Sequence, residues 1–249
     1  MAAKQRLDKA LVEQGIASSR ERAQALILAG RVLVNEQKVD KPGAAVPEDA
    51  VLRMLGEDLR YVSRGGLKLE GALAHWRIDL RGLRCLDVGT STGGFTDCML
   101  QYGAASVVSV DTGYGQIAHR LRDDARVQLM ERTNARKLVP GDLPAGLDFF
   151  AMDVSFIAAS LILPAVIAAA FPEAVRGGKQ SVILVKPQFE AGREHVGKGG
   201  IVRDSAAHMQ AVDRVRQSVI ANGAAITEVI ESPITGVEGN REFLLYTRF

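Results

Sequence analysis

From about Arg60 onward, short runs of apolar and β-branched residues alternate with longer segments of helical periodicity. This alternation favours an α/β fold in which helices cover both faces of a mostly parallel, doubly wound sheet. The predicted strands are 83–88, 106–110, 127–130, 147–152, 181–185 and 225–230. A last strand, 242–247, follows the one before it after a loop without helical periodicity, which favours antiparallel pairing. We therefore expect an open parallel sheet with one reversed strand at its end.

The beginning of the chain has a different pattern and predicts a smaller α/β unit. Two short amphipathic helices are expected before residue 30, the second starting at a capping-box sequence, Ser18–Glu21. Short strands separated by polar turns follow. Gly56–Asp58 interrupts both patterns, so we expect two domains, 1–59 and 60–249.

Composition excludes several classes of protein. With 47% hydrophobic and 24% charged residues, the chain can form a full core and is not of the disordered type. The longest apolar stretch, Phe156–Phe171, is shorter than the roughly 20 residues of a membrane span and contains Pro164, so we interpret it as a buried element. The first residues lack the apolar segment of a signal peptide. Cys85 and Cys98 are the only cysteines, which argues against disulfides and thiolate metal sites, and we expect a cytoplasmic protein.

The loop after the first predicted strand indicates a small-molecule site. It runs over Leu86–Phe95 and is rich in glycine. A phosphate-binding P-loop would place lysine after Gly94, where Phe95 stands. A dinucleotide loop would place glycine where Ser91 stands, so the close approach of a pyrophosphate is hindered. Nucleoside triphosphates, NAD and FAD are therefore disfavoured.

A nucleoside without a diphosphate satisfies the remaining requirements. Asp111 ends the second predicted strand, 22 residues after Gly89, where a carboxylate can accept hydrogen bonds from both ribose hydroxyls. S-Adenosylmethionine is such a ligand. The alternative is purely structural: Gly93 and Gly94 allow a tight strand-to-helix turn, and Asp111 is an ordinary turn or cap residue.

Two polar residues follow neighbouring predicted strands. Asp153 closes the fourth strand and Lys186 closes the fifth, so both side chains emerge at the carboxyl edge of the sheet, where ligands bind. Each alone is ordinary, because a strand-end aspartate is usually a cap and a strand-end lysine is usually solvated. Lys68 and Glu242 have equally ordinary interpretations from spacing alone, a surface lysine and an edge-strand charge.

Several segments together resemble the TlyA family, hemolysin-A-like ribosomal RNA 2′-O-methyltransferases with an FtsJ-like catalytic domain and an N-terminal S4-type RNA-binding domain. The matching segments are Ser63–Lys68, Asp87–Thr96, Asp111–Gln116, Glu131–Arg136, Val185–Glu190 and Gly239–Glu242. They occur in order along the whole chain. The resemblance implies a Rossmann-like methyltransferase sheet and S-adenosylmethionine-dependent 2′-O-methylation of a cytidine ribose in ribosomal RNA.

The resemblance also implies site residues. A Lys-Asp-Lys-Glu tetrad falls on Lys68, Asp153, Lys186 and Glu242, with Glu238 as the alternative acid. The expected cofactor contacts are Asp87, Gly89, Ser91, Thr92, Gly93, Gly94, Phe95, Asp111, Asn134 and Asp153. No metal is required. Because a ribose hydroxyl is a poor nucleophile, proton removal and orientation dominate the chemistry. We expect Lys186, in its neutral form, to accept the proton, Asp153 and Lys68 to position lysine and hydroxyl, and Glu242 to orient the network.

RNA binding must rely on local charge, since 31 basic and 29 acidic residues leave a net charge of only +2. The candidates are Arg6, Arg20, Arg22, Arg31 and Lys38 in the first domain, with Arg64 and Arg193 in the second. The alternative for the first group is a set of solvated helix faces. S4-type domains are expected to dock RNA by its shape and backbone. The glycine-rich segment Gly192–Gly200 is either a lid over the target nucleotide or a plain mobile loop.

Two other functions are less consistent with the sequence. A non-catalytic RNA-binding or ribosome-assembly factor would have a damaged tetrad or ligand loop, and neither is visible. A membrane-damaging hemolysin, which the family's name suggests, would need a membrane-active segment that the sequence lacks. The expected partners are ribosomal RNA or ribosomal subunits, without a membrane. The sequence leaves the target nucleotide and the oligomeric state open.

Overall fold

The computed structural model describes residues 4–17, 19–55, 60–236 and 238–249, except for the side chain of Arg193. The chain divides into two compact units, Met1–Leu59 and Arg60–Phe249. The predicted junction Gly56–Asp58 and the first residue of the predicted capping box, Ser18, lie outside the described residues.

The N-terminal unit combines two helices with short antiparallel strands. Its elements are β1 (Lys4–Arg6), α1 (Leu7–Glu13), α2 (Arg20–Leu28), β2 (Val32–Val34), β3 (Gln37–Lys38), β4 (Ala45–Pro47) and β5 (Leu52–Met54). Strand β2 lies between β3 and β5, and β1 pairs with β4. The backbone N–H of Arg22 donates to Ser19 Oγ at 3.2 Å, so the cap of α2 is one residue later than the sequence predicted. Leu7, Leu11 and Ile27 are buried between the elements.

The second unit alternates helices and strands. Its helices are α3 (Gly65–Trp76), α4 (Gly94–Gln101), α5 (His119–Arg122), α6 (Leu163–Ala170), α7 (Pro187–Glu190) and α8 (Ser205–Ala221). Its strands are β6 (Arg84–Val88), β7 (Ser106–Val110), β8 (Val127–Met130), β9 (Phe149–Met152), β10 (Gln180–Val185), β11 (Ile226–Glu231) and β12 (Phe243–Arg248). Each predicted strand is present, with ends shifted by up to two residues. Glu242 directly precedes the last strand instead of beginning it.

The sheet of this unit has the strand order β11-β12-β10-β9-β6-β7-β8. Strands β8, β7, β6, β9 and β10 are parallel neighbours, and β12 runs antiparallel to both β10 and β11. The predicted open parallel sheet with one reversed strand is therefore confirmed. Ser181 of β10 and Thr247 of β12 hydrogen-bond to each other at 2.6 Å. They form a buried polar pair between the reversed strand and the last of the parallel strands.

Apolar side chains cover both faces of the sheet. On β6, Leu86 and Val88 pack into the cluster that contains α6 and α8, whereas Cys85 packs into the cluster that contains α3 and α4. Because successive side chains of a strand point to opposite faces, a sheet buried on both sides requires such continuous apolar runs.

The stretch interpreted as one buried element is buried only in part. Leu163 and Val166 of α6 are fully buried, but Phe156 is 93% exposed, because the segment begins as a loop at the edge of the sheet. In the part of the chain that the structure describes, no helix has the length and apolarity needed to cross a bilayer.

Candidate active site

Strand ends bring polar residues together at the carboxyl edge of the sheet. Asp153 follows β9 and Lys186 follows β10, and these two strands are adjacent and parallel. Val185 pairs with Phe243 in the antiparallel β10–β12 register, so Lys186 and Glu242 stand next to each other just beyond that pair. Three of the four tetrad positions therefore share one edge.

Lys186 and Asp153 form one ion pair. Lys186 Nζ lies 2.6 Å from Asp153 Oδ1, and both side chains are largely buried. The hydrogen bond of Nζ goes to Ser155 Oγ at 2.7 Å, and Asp153 Oδ1 accepts no well-directed hydrogen bond from the described residues. The contact at Oδ1 is thus mainly electrostatic, and Ser155 fixes the direction of the ammonium group.

Lys68 and Glu242 form the second ion pair. Lys68, on the first turns of α3, donates from Nζ to Glu242 Oε2 at 2.6 Å, and both side chains are buried. A Cβ at Gly236 would lie 2.7 Å from Glu242 Oε1, so a larger residue there would displace this carboxylate from its present position. Glu238, the alternative acid, is exposed. The geometry favours Glu242 as the fourth member of the cluster.

The glycine loop passes directly against Asp153. Gly89 has φ +87°, and a Cβ there would lie 2.3 Å from the carbonyl oxygen of Asp153. Asp153 in turn donates its backbone N–H to Val88 O at 2.9 Å. Close approach of two backbones needs a residue without a side chain. Gly89 therefore allows the loop to pack against Asp153, the residue that pairs with Lys186.

Asp111 organises the same loop. Its Oδ2 accepts a hydrogen bond from Ser91 N at 2.7 Å, and its Oδ1 accepts one from Gly113 N at 2.6 Å. Asp111 therefore stabilises a turn, which is the structural alternative considered for it above. Since each carboxylate oxygen has two lone pairs, both oxygens can accept another donor.

Asp87 is a fully buried carboxylate beside the loop. Its Oδ2 accepts hydrogen bonds from Thr96 N at 2.9 Å and Thr96 Oγ1 at 2.6 Å, whereas Oδ1 has no partner among the described residues. Burial raises the pKa of Asp87 to about 7, against the hydrogen bonds from Thr96, which lower it. A buried oxygen without a donor is costly, so this position is suited to a ligand that brings one.

The remaining expected cofactor residues have varied environments. Ser91 and Thr92 are exposed on the loop. Phe95 is buried in the core beneath it, so its ring supports α4. Asn134 Oδ1 accepts from Arg136 N at 3.0 Å and caps a 3-10 turn. Gly93, at φ +97°, is the N-cap of α4.

Asn240 is a residue whose role the sequence did not reveal. It is buried, its Oδ1 accepts from Val202 N at 3.0 Å, and its Nδ2 donates to Gly200 O at 2.9 Å. These bonds tie the end of the glycine-rich segment, Gly192–Gly200, to the loop that carries Glu242. The side chain of Arg193 lies outside the described residues.

Phe156 was also missed. Phe156 lies three residues after Asp153, is almost fully exposed and has φ +65°. Its ring lies 5.6 Å from the ring of Phe189 in α7. The left-handed conformation costs a non-glycine residue about 1–2 kcal/mol. In the sequence Phe156 is simply the first residue of an apolar run, and nothing marks it as exposed.

Among the basic residues of the N-terminal unit, Arg6 and Arg20 share one environment and the others lie elsewhere. Arg6 and Arg20 both bind the carboxylate of Asp8, at 2.9 and 3.0 Å. Arg31 Nε donates to Leu55 O at 3.1 Å. Lys38 is exposed and Arg22 is half-buried. In the second unit, exposed Arg64 reaches Thr235 O at 3.4 Å, on the loop that leads to Glu242.

No group of three or more His, Cys, Asp or Glu side chains is arranged to hold a metal ion within residues 4–17, 19–55, 60–236 and 238–249.

Two family models match the chain. The model for FtsJ-like methyltransferases matches residues 61–249, and the model for S4 domains matches residues 5–52. Together they cover the two units of the structure.

Named relatives match over nearly the full length. YqxC of Bacillus subtilis, assigned as an rRNA methyltransferase, is 49% identical over 98% of this chain and 85% of its own length. The 16S/23S rRNA (cytidine-2′-O)-methyltransferase TlyA of Mycobacterium tuberculosis is 43% identical over 100% of this chain and 91% of its own. The chain is also similar to a solved structure from Streptococcus thermophilus that is described as a hemolysin. The TM-score is 0.74 and the identity 43%, over 100% of this chain and 89% of that one.

Proposed function

This chain belongs to the FtsJ-like methyltransferase family, and from that premise we propose that it methylates the 2′-oxygen of a cytidine ribose in ribosomal RNA with S-adenosylmethionine. The observation that carries the proposal is the pair of ion pairs, Lys186–Asp153 and Lys68–Glu242, next to the glycine loop at one edge of the sheet. A ribosomal RNA substrate is consistent with the S4 domain and with the named activity of the relatives. Such an enzyme acts where ribosomes are, in the cytoplasm.

The residues at the edge of the sheet fit the cofactor. Asp87 Oδ1 is buried without a donor, and the ammonium group of the methionine moiety would supply one. Asp111 has lone pairs for the ribose hydroxyls, and Gly89 has no side chain that would obstruct a ligand at the start of the loop. When bound, the cofactor supplies an electrophilic methyl group on its sulfonium.

The two ion pairs suit removal of a proton from a ribose hydroxyl. Lys186 first releases its own proton to solvent, and its neutral Nζ then accepts the proton of the 2′-hydroxyl. The ribose oxygen would take the methyl group as the bond from that group to the sulfonium sulfur breaks. Asp153 and Ser155 hold Nζ in place, at 2.6 and 2.7 Å. Lys68 contributes a positive charge that stabilises the developing alkoxide, and the buried Glu242 orients Lys68.

The function is tested by methyl transfer from labelled S-adenosylmethionine to purified ribosomal subunits and to naked ribosomal RNA. We expect label in RNA, and we expect mapping of 2′-O-methyl groups to place that label on cytidine riboses. Cofactor binding without transfer to any ribosomal RNA would contradict the proposal and would favour a non-catalytic RNA-binding factor.

The two candidate acids should respond differently to the same change. Glu242→Gln leaves the Lys68 ammonium buried without its counter-charge, so we expect the single-turnover rate to fall about 100-fold or more. Glu238→Gln removes an equal charge from an exposed side chain and should change the rate less than about twofold. Single-turnover methyl transfer at saturating RNA measures both. Equal losses in the two variants would refute the assignment of Glu242.

Phe156 is suited to contact the base of the target nucleotide. An exposed ring held in a strained backbone beside the ion pair offers a flat surface for stacking. We expect Phe156→Ala to raise the KM for RNA about tenfold, within the roughly 1–3 kcal/mol of one stacked base. Phe156→Tyr should retain the wild-type value.

The control for this variant is Leu161→Ala, which truncates another exposed apolar side chain of the same segment. A rise of KM in Leu161→Ala as large as in Phe156→Ala would point to a general change of the segment and against stacking.

A further inference from the structure

One buried carboxylate organises two of the arginines in the N-terminal unit. Asp8, on the first turn of α1, has no exposed surface. It accepts hydrogen bonds from Arg6 Nε at 3.0 Å and Nη2 at 2.9 Å, from Arg20 Nε at 3.0 Å, and from Gln24 Nε2 at 2.9 Å. The residues come from three places in the chain: β1, α1 and α2.

The two arginines remain half-exposed in this arrangement. Their side chains are 52% and 55% accessible to solvent, although each donates to Asp8. Arg6 Nη2 and Arg20 Nε bind the same oxygen, Oδ2, so these nitrogens lie within about 6 Å of each other and the two guanidinium groups would repel without the carboxylate. Hydrogen bonding from Arg6 holds the pKa of Asp8 well below its usual range, so the carboxylate stays charged.

The charges do not cancel. Two guanidinium groups share one carboxylate, which leaves an excess of one positive charge, and their remaining N–H groups donate to no other side chain among the described residues. Guanidinium groups bind phosphate oxygens in fixed, often bidentate geometry, and their affinity rises when less side-chain freedom is lost on binding. Asp8 holds both guanidinium groups in place before RNA binds, so less side-chain freedom is lost on binding.

We infer that Asp8 is a positioning residue for substrate binding: it holds Arg6 and Arg20 side by side as a preformed site for the phosphate backbone of ribosomal RNA. This inference rests on the proposed function, since it takes ribosomal RNA as the substrate. It assigns an acidic residue to the recognition of a polyanion, which charge alone would not suggest.

The sign of the effect separates this role from simple electrostatics. Asp8→Asn raises the net charge by one, so a surface that attracts RNA only through its overall charge would bind more tightly. A positioning role requires the opposite, because the two guanidinium groups move apart. We expect the KM for ribosomal RNA to rise about tenfold with kcat unchanged, and the salt dependence of binding to weaken by about one phosphate contact.

The matched control is Glu13→Gln. Glu13 lies on the same helix, is exposed, and pairs with Lys9 at 3.4 Å. It removes the same charge without touching Arg6 or Arg20, so the KM should stay unchanged or fall. In an Arg20→Gln background, Asp8→Asn should add little, because one of the groups that it positions is already absent.

The measurements use the full-length chain with purified subunits and naked ribosomal RNA, beside thermal unfolding of each variant. A lowered melting temperature with an unchanged KM would show that Asp8 is only structural and would overturn the inference, as would tighter binding by Asp8→Asn. Should that variant fail to fold, Arg20→Lys keeps the charge but not the planar contact. A wild-type KM in Arg20→Lys would then refute preformed geometry.

The proposed function fails separately. If the wild-type protein transfers no methyl group to RNA, equilibrium binding of ribosomal RNA to the same variants still decides the role of Asp8.

Discussion

Lys186→Met is expected to abolish methyl transfer while cofactor binding remains within about twofold. Methionine keeps most of the length of the side chain but cannot accept a proton, and general-base catalysis typically contributes 10²–10⁴-fold. The variant also removes the partner of Asp153 and the donor to Ser155, so the orientation of the hydroxyl is lost as well. We expect a fall of about a thousandfold or more in the single-turnover rate.

The chain contains a matched control for this variant on the same two strands. Lys179 immediately precedes β10 and pairs with Asp148, which immediately precedes β9, at 2.7 Å. This pair repeats the Lys186–Asp153 contact at the opposite, amino edge of the sheet. Lys179→Met should therefore lower stability as a partly exposed ion pair does, by about 1 kcal/mol or less, and leave the rate unchanged.

Both variants are assayed by single-turnover transfer to ribosomal RNA and by titration with the cofactor. Full transfer by Lys186→Met would show that another group accepts the proton. A loss of cofactor binding in the same variant would place Lys186 in the cofactor site instead.

The centre of the sheet could be predicted from sequence because its strands β6, β7, β9 and β10 have two buried faces. A strand such as β9 is then apolar at every position, and it stands out from the helices around it. The short strands β1 and β4 have no such signal. Each has only three residues, which is too few to show an alternating pattern.

The candidate site was only partly predictable. The rule that ligands bind at the carboxyl edge of a parallel sheet is enough to select Asp153 and Lys186. It does not select Lys68 and Glu242, whose contact joins residues 174 positions apart, and resemblance alone indicated them. Asn240 and Phe156 act through a buried hydrogen bond and a left-handed backbone, and neither leaves a periodic signal in the sequence.

Gly89→Ala is expected to eliminate cofactor binding. Two costs coincide at this position: the left-handed φ of +87°, and a Cβ placed 2.3 Å from the backbone oxygen of Asp153. Backbone cannot move aside as a flexible side chain can, so the loop must shift away from β9, and Asp153 loses its position beside Lys186. We expect the dissociation constant for S-adenosylmethionine to rise about 100-fold or more, which corresponds to about 2.8 kcal/mol of lost binding free energy.

Gly82→Ala separates the two costs. Gly82 precedes β6 with φ +73°, and a Cβ there would have no atom within 4 Å. It therefore carries the conformational cost of about 1–2 kcal/mol without the clash. Thermal unfolding should show a loss of stability in both variants and a larger one in Gly89→Ala, while isothermal titration should show wild-type cofactor affinity in Gly82→Ala alone. Wild-type affinity in Gly89→Ala would mean that the loop does not hold the cofactor, because the added Cβ must displace the loop from the backbone of Asp153.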